Sequence, residues 1–303
     1  MNHNRMRFST LFVMCCYMFV GLSCKHIAEI TFVEPENPAT IKITDRITFD
    51  VKKIMDLKSH SKSSYNQSMS VFENKAFVFY TGGYCKIIDL KDKKELREVT
   101  LASYAQNNHV NNAMFSKFFY QEGDKYPLLY ISPYAKQTCY VERYHENENT
   151  FELIQTIDVS TSLYYNEYGE FVLDEDNGLL YDITFPSTNA NNSHIKIFHI
   201  PPFSNNHITL TDNDLLGIKS IELIYNNILQ GALYNDGYIY LLFGNQNTRK
   251  QLYIVNTQDF TYYTIDYTDF FGRGEPEDIS FYKDTVITCS NYPSAMWNLF
   301  TIK

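Results

Sequence analysis

The sequence predicts an all-β protein folded as a propeller, with five four-stranded blades around one axis. Two observations lead to this prediction: a strand-turn-strand unit that recurs along the chain, and a composition rich in aromatic rings. The chain of 303 residues contains 25 Tyr and 22 Phe but a single Trp. Aromatic side chains favour the pleated, half-buried surface of a strand. Since 44% of the residues are hydrophobic, the chain can bury a large core, which excludes a disordered protein.

The recurring unit is a short strand, a polar turn and a second strand rich in aromatic and β-branched residues. It begins at five positions: Ser70, Met114, Phe171, Gly231 and Ile279. Intervals of about 50 to 60 residues suit propeller blades of four strands with generous loops. Two of the turns, at residues 176–178 and 235–237, end in Asn-Gly or Asp-Gly, which tolerate the positive φ angles of tight hairpins.

Each unit is followed by segments that read as two further strands. These begin at Cys85, Cys139 and Gln251 in three of the units, and the third unit has two weaker candidates at His194 and His207. The last unit is one strand short, because only residues 296–303 remain after it. Residues 40–51 can supply the missing strand and close the ring, which protects the sheet edges.

Alternatives to this architecture remain open from the sequence. A sixth blade is possible if residues 195–229 contain a degenerate unit. A β-sandwich would also explain the strands, but it predicts neither the long period nor the incomplete last unit. Helical patterns are scarce, and the sequence predicts short peripheral helices only at residues 51–58 and 214–225.

The N-terminus indicates export. Arg5 and Arg7 precede an uncharged, mostly apolar run that suits a signal peptide and is short for a membrane span. Ser23 directly before Cys24 resembles a bacterial lipobox, in which the cysteine is lipidated. We therefore predict a signal peptide at 1–23, a lipid-anchor linker at 24–39 and a propeller domain at 40–303. The predicted location is the cell envelope, at the outer membrane or cell surface; ordinary cleavage near Ser23 would instead give a soluble secreted protein.

Charge and cysteine content exclude several functions. The net charge is −9 and no basic stripe is visible, which argues against nucleic acid as a partner. Cys85, Cys139 and Cys289 are isolated in the mature chain, so we expect buried free thiols rather than a disulfide framework. The sequence predicts no metal site and no cofactor, because it lacks metal-ligand spacings, a phosphate loop and a nucleophile elbow.

Short blade motifs suggest a family. Residues 252–257, Leu-Tyr-Ile-Val-Asn-Thr, resemble the third strand of YVTN-type blades, and residues 275–279, Glu-Pro-Glu-Asp-Ile, resemble the start of an inner strand in such blades. With the export signal, the chain resembles the exported bacterial propellers with YVTN- or NHL-like blades, and uncharacterised propeller lipoproteins of Bacteroidetes. The resemblance implies the fold but no activity, because that superfamily hosts binding modules, lactonases, lyases and scaffolds.

A functional site is predicted where the first strands of the blades enter the central channel. Polar side chains recur at this register, and tyrosines lie near them in the sequence (Tyr65, Tyr104, Tyr164 and Tyr165). The candidate ligand-binding residues are Gln67, His109, Asn111, Asn112, Glu170, Gln230, Glu275 and Glu277. A ring of amides and carboxylates with nearby aromatic rings suits a polar ligand such as a glycan or a peptide.

The leading functional hypothesis is a monomeric, non-catalytic binding or scaffold propeller for a polar small molecule, a glycan, a peptide or an envelope protein. The alternative is an enzyme acting on glycans or lactones, with His109 and Glu277 as weak candidates for acid-base catalysis. Catalysis would require the His109 imidazole to contact a carboxylate directly or through one water or metal. A purely structural interaction protein would instead use an exposed apolar face elsewhere.

Overall fold

The computed structural model describes residues 32–33, 43–106, 108–163, 168–185, 192–203, 206–222 and 227–303. These residues form five β-sheets arranged as the blades of a ring, which confirms the predicted five-bladed propeller. Cys24, Tyr164 and Tyr165, the predicted signal peptide and the predicted anchor linker, apart from residues 32–33, lie outside the described residues.

The strands are numbered in chain order. Two strands precede the repeats: β1 (Phe32–Val33) and β2 (Ile47–Asp56). The first blade contains β3 (Asn66–Phe72), β4 (Lys75–Tyr80), β5 (Tyr84–Asp89) and β6 (Lys94–Thr100). The second contains β7 (Val110–Phe115), β8 (Leu129–Pro133), β9 (Thr138–His145) and β10 (Thr150–Ser160).

The remaining blades follow the same order from the axis outward. The third contains β11 (Tyr168–Asp174), β12 (Leu179–Phe185), β13 (Asn192–His199) and, after an intervening strand β14 (His207–Thr211), β15 (Gly217–Glu222). The fourth contains β16 (Leu229–Asn235), β17 (Tyr238–Phe243), β18 (Gln251–Asn256) and β19 (Tyr262–Asp266). The fifth contains β20 (Glu275–Tyr282), β21 (Thr285–Asn291), β22 (Ala295–Ile302) and β2.

The ring is closed by the N-terminal strand, as predicted. β2 pairs antiparallel with β22, from Ile47 opposite Ile302 to Asp56 opposite Ala295. The predicted bounds of 40–51 were wrong, because residues Ile43–Arg46 form a helical turn and the strand begins after it. The predicted helix at 51–58 is also wrong, since Lys52 and Lys53 lie within this outermost strand. Lysines are well suited to an exposed edge, where they discourage pairing with another chain.

The third blade departs from the simple repeat. The segment at His207, predicted as its fourth strand, is β14, which pairs parallel with β10 of the second blade instead. Its place in the third blade is taken by β15, which pairs antiparallel with β13. The predicted helix at 214–225 is therefore wrong over its described part. The sixth blade that residues 195–229 could have hidden is absent from the five sheets of the described chain.

Five hydrophobic clusters hold the blades together, and each cluster fills one interface between neighbouring blades. Leu57 and Met69 pack with Ile287 and Met296 where the first blade meets the last. Strands in the middle of a blade are therefore buried on both faces, as β18 shows with six buried residues in succession. This packing explains the near-continuous apolar runs in the sequence, and burial of a large side chain contributes about 1.5–3 kcal/mol.

The backbone at residues 236–237 has the conformation that the turn sequence predicts. Asp236 and Gly237, at the turn between β16 and β17, have φ angles of 49° and 81°, the positive values that the Asp-Gly pair was expected to adopt. The three described cysteines are buried free thiols, as predicted. Helical structure in the described chain is confined to single turns at Ile43–Arg46, Ala102–Gln106 and Thr268–Phe271. Among the described helices, none has the length and apolar character needed to cross a bilayer.

Candidate functional site

The innermost strands β3, β7, β11, β16 and β20 surround the axis and contact one another around the ring. At one end of the channel they open into a cavity of about 260 Å³. Its lining combines amides, carboxyl groups, an imidazole and tyrosine rings. The lining residues are Tyr65, Gln67, His109, Asn111, Tyr134, Ile228, Gln230, Gln246, Glu275, Glu277, Asn291 and Tyr292.

Six of the eight predicted binding residues meet at this cavity: Gln67, His109, Asn111, Gln230, Glu275 and Glu277. The other two lie outside its lining. Asn112 joins three blades, because its Nδ2 donates to the backbone oxygen of Phe171 at 3.0 Å and its Oδ1 accepts from the amide of Ala232 at 3.0 Å. Glu170 is 1% exposed and lies beneath the cavity, where it accepts a hydrogen bond from Asn111 Nδ2.

Sequence reasoning missed five lining residues: Tyr134, Ile228, Gln246, Asn291 and Tyr292. Three of these lie at the end of a second strand: Tyr134 follows β8, Asn291 ends β21, and Tyr292 follows β21. Because neighbouring strands run antiparallel, the end of the second strand lies at the same end of the channel as the start of the first. The loop after each second strand was therefore the available signal. Tyr104, a predicted neighbour, contacts the Tyr84 ring instead and does not line the cavity.

Three pairs of an amide and a carboxyl group are built in the same way. In the first pair, Asn291 Nδ2 donates to Glu277 Oε1 at 2.6 Å and to the backbone oxygen of Asn66 at 2.8 Å. In the second, Gln230 Nε2 donates to Glu275 Oε1 at 3.2 Å and to the backbone oxygen of Gly244 at 2.8 Å.

The third pair lies deeper, where Asn111 Nδ2 donates to Glu170 and to the backbone oxygen of Leu229 at 3.0 Å. In all three, a backbone carbonyl and a carboxyl group hold the amide nitrogen. This arrangement fixes the orientation of the amide, since a flipped side chain would place oxygen against oxygen.

The carboxyl groups differ in burial. Glu277 is 3% exposed, and desolvation by burial raises the pKa of its carboxyl well above the usual value, with further upward contributions from Glu275 and Asp278. Burial raises the pKa of Glu170 to about 8, although its hydrogen bond from Asn111 acts in the opposite direction. Glu275 is partly exposed at the cavity wall. The cavity wall therefore holds the accessible carboxyl of Glu275 and the buried carboxyl of Glu277, and the buried carboxyl of Glu170 lies beneath it.

Asp278 lies at the axis and joins several blades. Its Oδ2 accepts hydrogen bonds from Ser68 Oγ and from the backbone amides of Met69 and Ala113, both at 3.2 Å. Its Oδ1 accepts from the amide of Ile279 at 2.7 Å. These donors belong to the first, second and fifth blades. Asp278 therefore has a structural role in positioning the inner strands beneath the cavity.

His109 is half-buried beside the ring of Tyr134, with the two ring centroids 5.3 Å apart. Desolvation by burial lowers the pKa of its imidazole. Within the described chain it makes no hydrogen bond or ion pair with a carboxylate. The described residues also contain no group of three or more His, Cys, Asp or Glu side chains arranged to hold a metal ion.

The rim of the cavity is aromatic. Tyr65 and Tyr292 are 50% and 52% exposed, and their ring centroids lie 6.3 Å apart. Tyr134 is 38% exposed on another part of the rim. Exposed rings beside buried polar groups provide flat surfaces for stacking together with hydrogen-bonding partners below.

Comparisons with known proteins bear on the fold alone. No protein-family model matches the chain, and no curated protein matches it in sequence. One similar solved structure is the Cps50 (Swd1) β-propeller domain of Myceliophteria thermophila, with 12% identity, a TM-score of 0.40, and coverage of 81% of this chain and 86% of that chain. Another is the tail fiber of Staphylococcus aureus phage P68, with 13% identity, a TM-score of 0.50, and coverage of 84% of this chain and 52% of that chain.

Proposed function

We propose that the protein is a binding propeller that recognises a polar ligand, most favourably a glycan, at the channel-mouth cavity. The observation that supports this most directly is the combination of exposed Tyr65 and Tyr292 at the rim with hydrogen-bonding side chains in the cavity. Sugar rings have an apolar face that stacks on aromatic rings and hydroxyl groups that bond to amides and carboxylates. The cavity is smaller than the roughly 300–1,000 Å³ of typical ligand pockets, so it suits one sugar unit.

Binding is favoured over the alternative of acid-base catalysis by His109 and Glu277. Catalysis by this pair would need an imidazole within about 2.6–3.2 Å of its partner, or one bridging water. The described contacts place Asn291, and not His109, on the Glu277 carboxyl. The neighbour of His109 is the Tyr134 ring, which suits a positioning or stacking role.

A glycan array probed with purified protein tests the proposal. The informative variant is Tyr65→Ala with Tyr292→Ala, because both side chains are exposed and their removal leaves the core intact. We expect the double variant to weaken binding by about tenfold or more, since an aromatic contact contributes roughly 0.5–1.5 kcal/mol beyond its area. Tyr120→Ala is the matched control, because Tyr120 is 43% exposed and does not line the cavity. An array without any signal, or equal binding by all three proteins, would contradict the proposal.

We also propose that the protein is exported and held at the cell envelope by a lipid on Cys24, and that its blades are of the YVTN- or NHL-like kind. The supporting observations are the charged start, the apolar run and the Ser23-Cys24 junction of the sequence. Metabolic labelling with a clickable fatty acid tests the anchor. We expect label on the wild type and none on Cys24→Ser, and an unlabelled wild-type protein in the soluble fraction would contradict it.

A further inference from the structure

The hydrogen-bonding groups of the channel-mouth cavity are strongly biased toward acceptors. The amide nitrogens of Asn111, Gln230 and Asn291 are each held by two oxygens of the protein. Their side-chain oxygens accept no hydrogen bond within the described part of the chain. These oxygens are therefore the groups that remain for a ligand, and a ligand that satisfies them must bring donors.

Charge adds to this bias. Glu275 and Glu277 line the cavity, and the described lining contains no lysine or arginine. Lys250 is a cation that interacts electrostatically with Glu275. Its ammonium group is turned into the protein, where it donates to the backbone oxygen of Gly272 at 2.6 Å, and the residue is only 1% exposed. A second, longer hydrogen bond goes to the backbone oxygen of Gln246 at 3.4 Å, and within the described chain Lys250 forms no ion pair with a carboxyl group of the cavity.

Glu277 offers an oxygen to which a ligand can bind. It is 3% exposed, and Asn291 occupies its Oε1, while its Oε2 has no hydrogen-bond partner among the described residues. An accessible carboxyl oxygen without a protein donor offers an acceptor to a ligand, and a charged donor forms the stronger hydrogen bond with it. An ammonium group has three N–H donors and no acceptor, so it matches a wall of amide and carboxyl oxygens.

The tyrosine rim favours the same chemistry. Tyr65, Tyr134 and Tyr292 present rings at the opening, and a ring face attracts a cation within about 6 Å of its centroid. The outward amide oxygens favour any ligand with donors, and the carboxyl groups and tyrosine faces favour a donor that carries positive charge.

We infer that the ligand is an amino sugar with a free amine, held by its ammonium group between Glu275 and Glu277 and stacked on the rim tyrosines. This inference rests on the proposed function and names its ligand class. A sugar satisfies the cavity better than a peptide does, because each hydroxyl can rotate to donate to an amide oxygen. The carbonyl groups of a peptide would instead find few donors in this lining, and an unpaired buried carbonyl opposes binding.

Calorimetric titration of the purified protein with matched oligosaccharides tests the inference. The probes are a glucosamine tetramer, the same chain with every amine acetylated, and cellotetraose. We expect the glucosamine tetramer to bind at least tenfold more tightly than both neutral chains, because a hydrogen bond to a charged group is worth about 10- to 100-fold in affinity. We also expect the difference to shrink as salt is raised, since carboxylate–ammonium attraction at a partly exposed site is screened.

The remaining outcomes are distinguishable. Equal or tighter binding of the neutral chains overturns the ammonium inference and leaves the proposed glycan binding in place. Binding of none of the three, together with a blank glycan array, overturns both. A lysine peptide that binds more tightly than the glucosamine tetramer, and loses affinity on acetylation, overturns the assignment to a sugar.

Variants locate the site. Glu275→Gln and Glu277→Gln are each expected to reduce the preference for the glucosamine tetramer over its acetylated form by about tenfold or more. Glu148→Gln is the matched control, an exposed carboxylate outside the lining. An unchanged preference in both cavity variants would overturn the inference. If a variant fails to fold, the comparison of the three oligosaccharides with the wild-type protein still tests the inference.

Discussion

Asp278 of the fifth blade lies directly against the backbone of Gly231 in the fourth. A Cβ atom at residue 231 would lie 2.7 Å from the Asp278 Cα and would collide with the Asp278 carboxyl group. Only glycine allows these two inner strands to approach so closely. The contact sets the distance between two blades at the axis, directly below the cavity.

Gly231→Ala is therefore expected to destabilise the protein by about 1–3 kcal/mol or more, as overpacking a rigid core does. The clash involves backbone as well as side-chain atoms, so it cannot be relieved by a simple rotation. Urea unfolding followed by fluorescence measures the effect. Gly217→Ala is the matched control, because a Cβ there would meet nothing within 4 Å. Equal stability of the two variants would show that the fourth and fifth blades do not approach as described.

The hydrogen bonds of Asp278 are an example of contacts that could not be predicted from the sequence. The blades were predictable because each hairpin carries its own turn and strand pattern within a short segment. The hydrogen-bond donors of Asp278 include Ser68 and Ala113, which are 210 and 165 positions away. Nothing in either local sequence marks these partners, since their proximity follows from closing the ring.

The cavity was predictable in part for a related reason. Residues such as Gln67 and Gln230 were found because they share one register at the start of inner strands. Asn291 and Tyr292 were missed because they lie at the end of a second strand and directly after it, where no site residue was predicted. The orientation of the amides could not be predicted, because it depends on backbone oxygens such as that of Asn66, which the fold brings to the side chain of Asn291.

Glu170 is expected to make stability depend on pH. Its pKa is about 8 in the folded protein and about 4.3 in an unfolded chain, so the folded state holds a proton that the unfolded state loses between these values. The free energy of unfolding should therefore fall as pH rises through this window, by at most about 1.4 kcal/mol per pH unit from this group. Glu170→Gln keeps the shape of the protonated form and removes that contribution.

Urea unfolding of wild type and Glu170→Gln at pH 4, 7 and 9 measures the difference. We expect the variant to gain stability relative to the wild type as pH rises, with little difference near pH 4. Glu148→Gln, which removes an exposed carboxyl group outside the cavity, is the matched control. Parallel curves for wild type and Glu170→Gln would mean that Glu170 titrates alike in the folded and unfolded states.

Ring closure by β2 can be tested by truncation. A chain beginning at residue 59 loses β2 together with the buried side chains of Ile43 and Leu57, which are 1% and 6% exposed. At about 1.5–3 kcal/mol for each buried side chain, and with the edge of β22 uncovered, we expect loss of several kcal/mol and aggregation. A chain beginning at residue 43 retains both features and is the control. Light scattering and urea unfolding compare them, and equal behaviour would contradict closure.

His109 provides a test that separates binding from catalysis. Because burial lowers the pKa of its imidazole, we expect a titration midpoint below the usual value of about 6.5, so the ring is neutral at pH 7. A carboxylate that oriented the ring for acid-base chemistry would raise the midpoint instead, since it stabilises the imidazolium form. Proton NMR titration of the imidazole resonance, assigned with His109→Gln, gives the midpoint. A value above 6.5 would indicate an acidic partner and would revive the catalytic alternative.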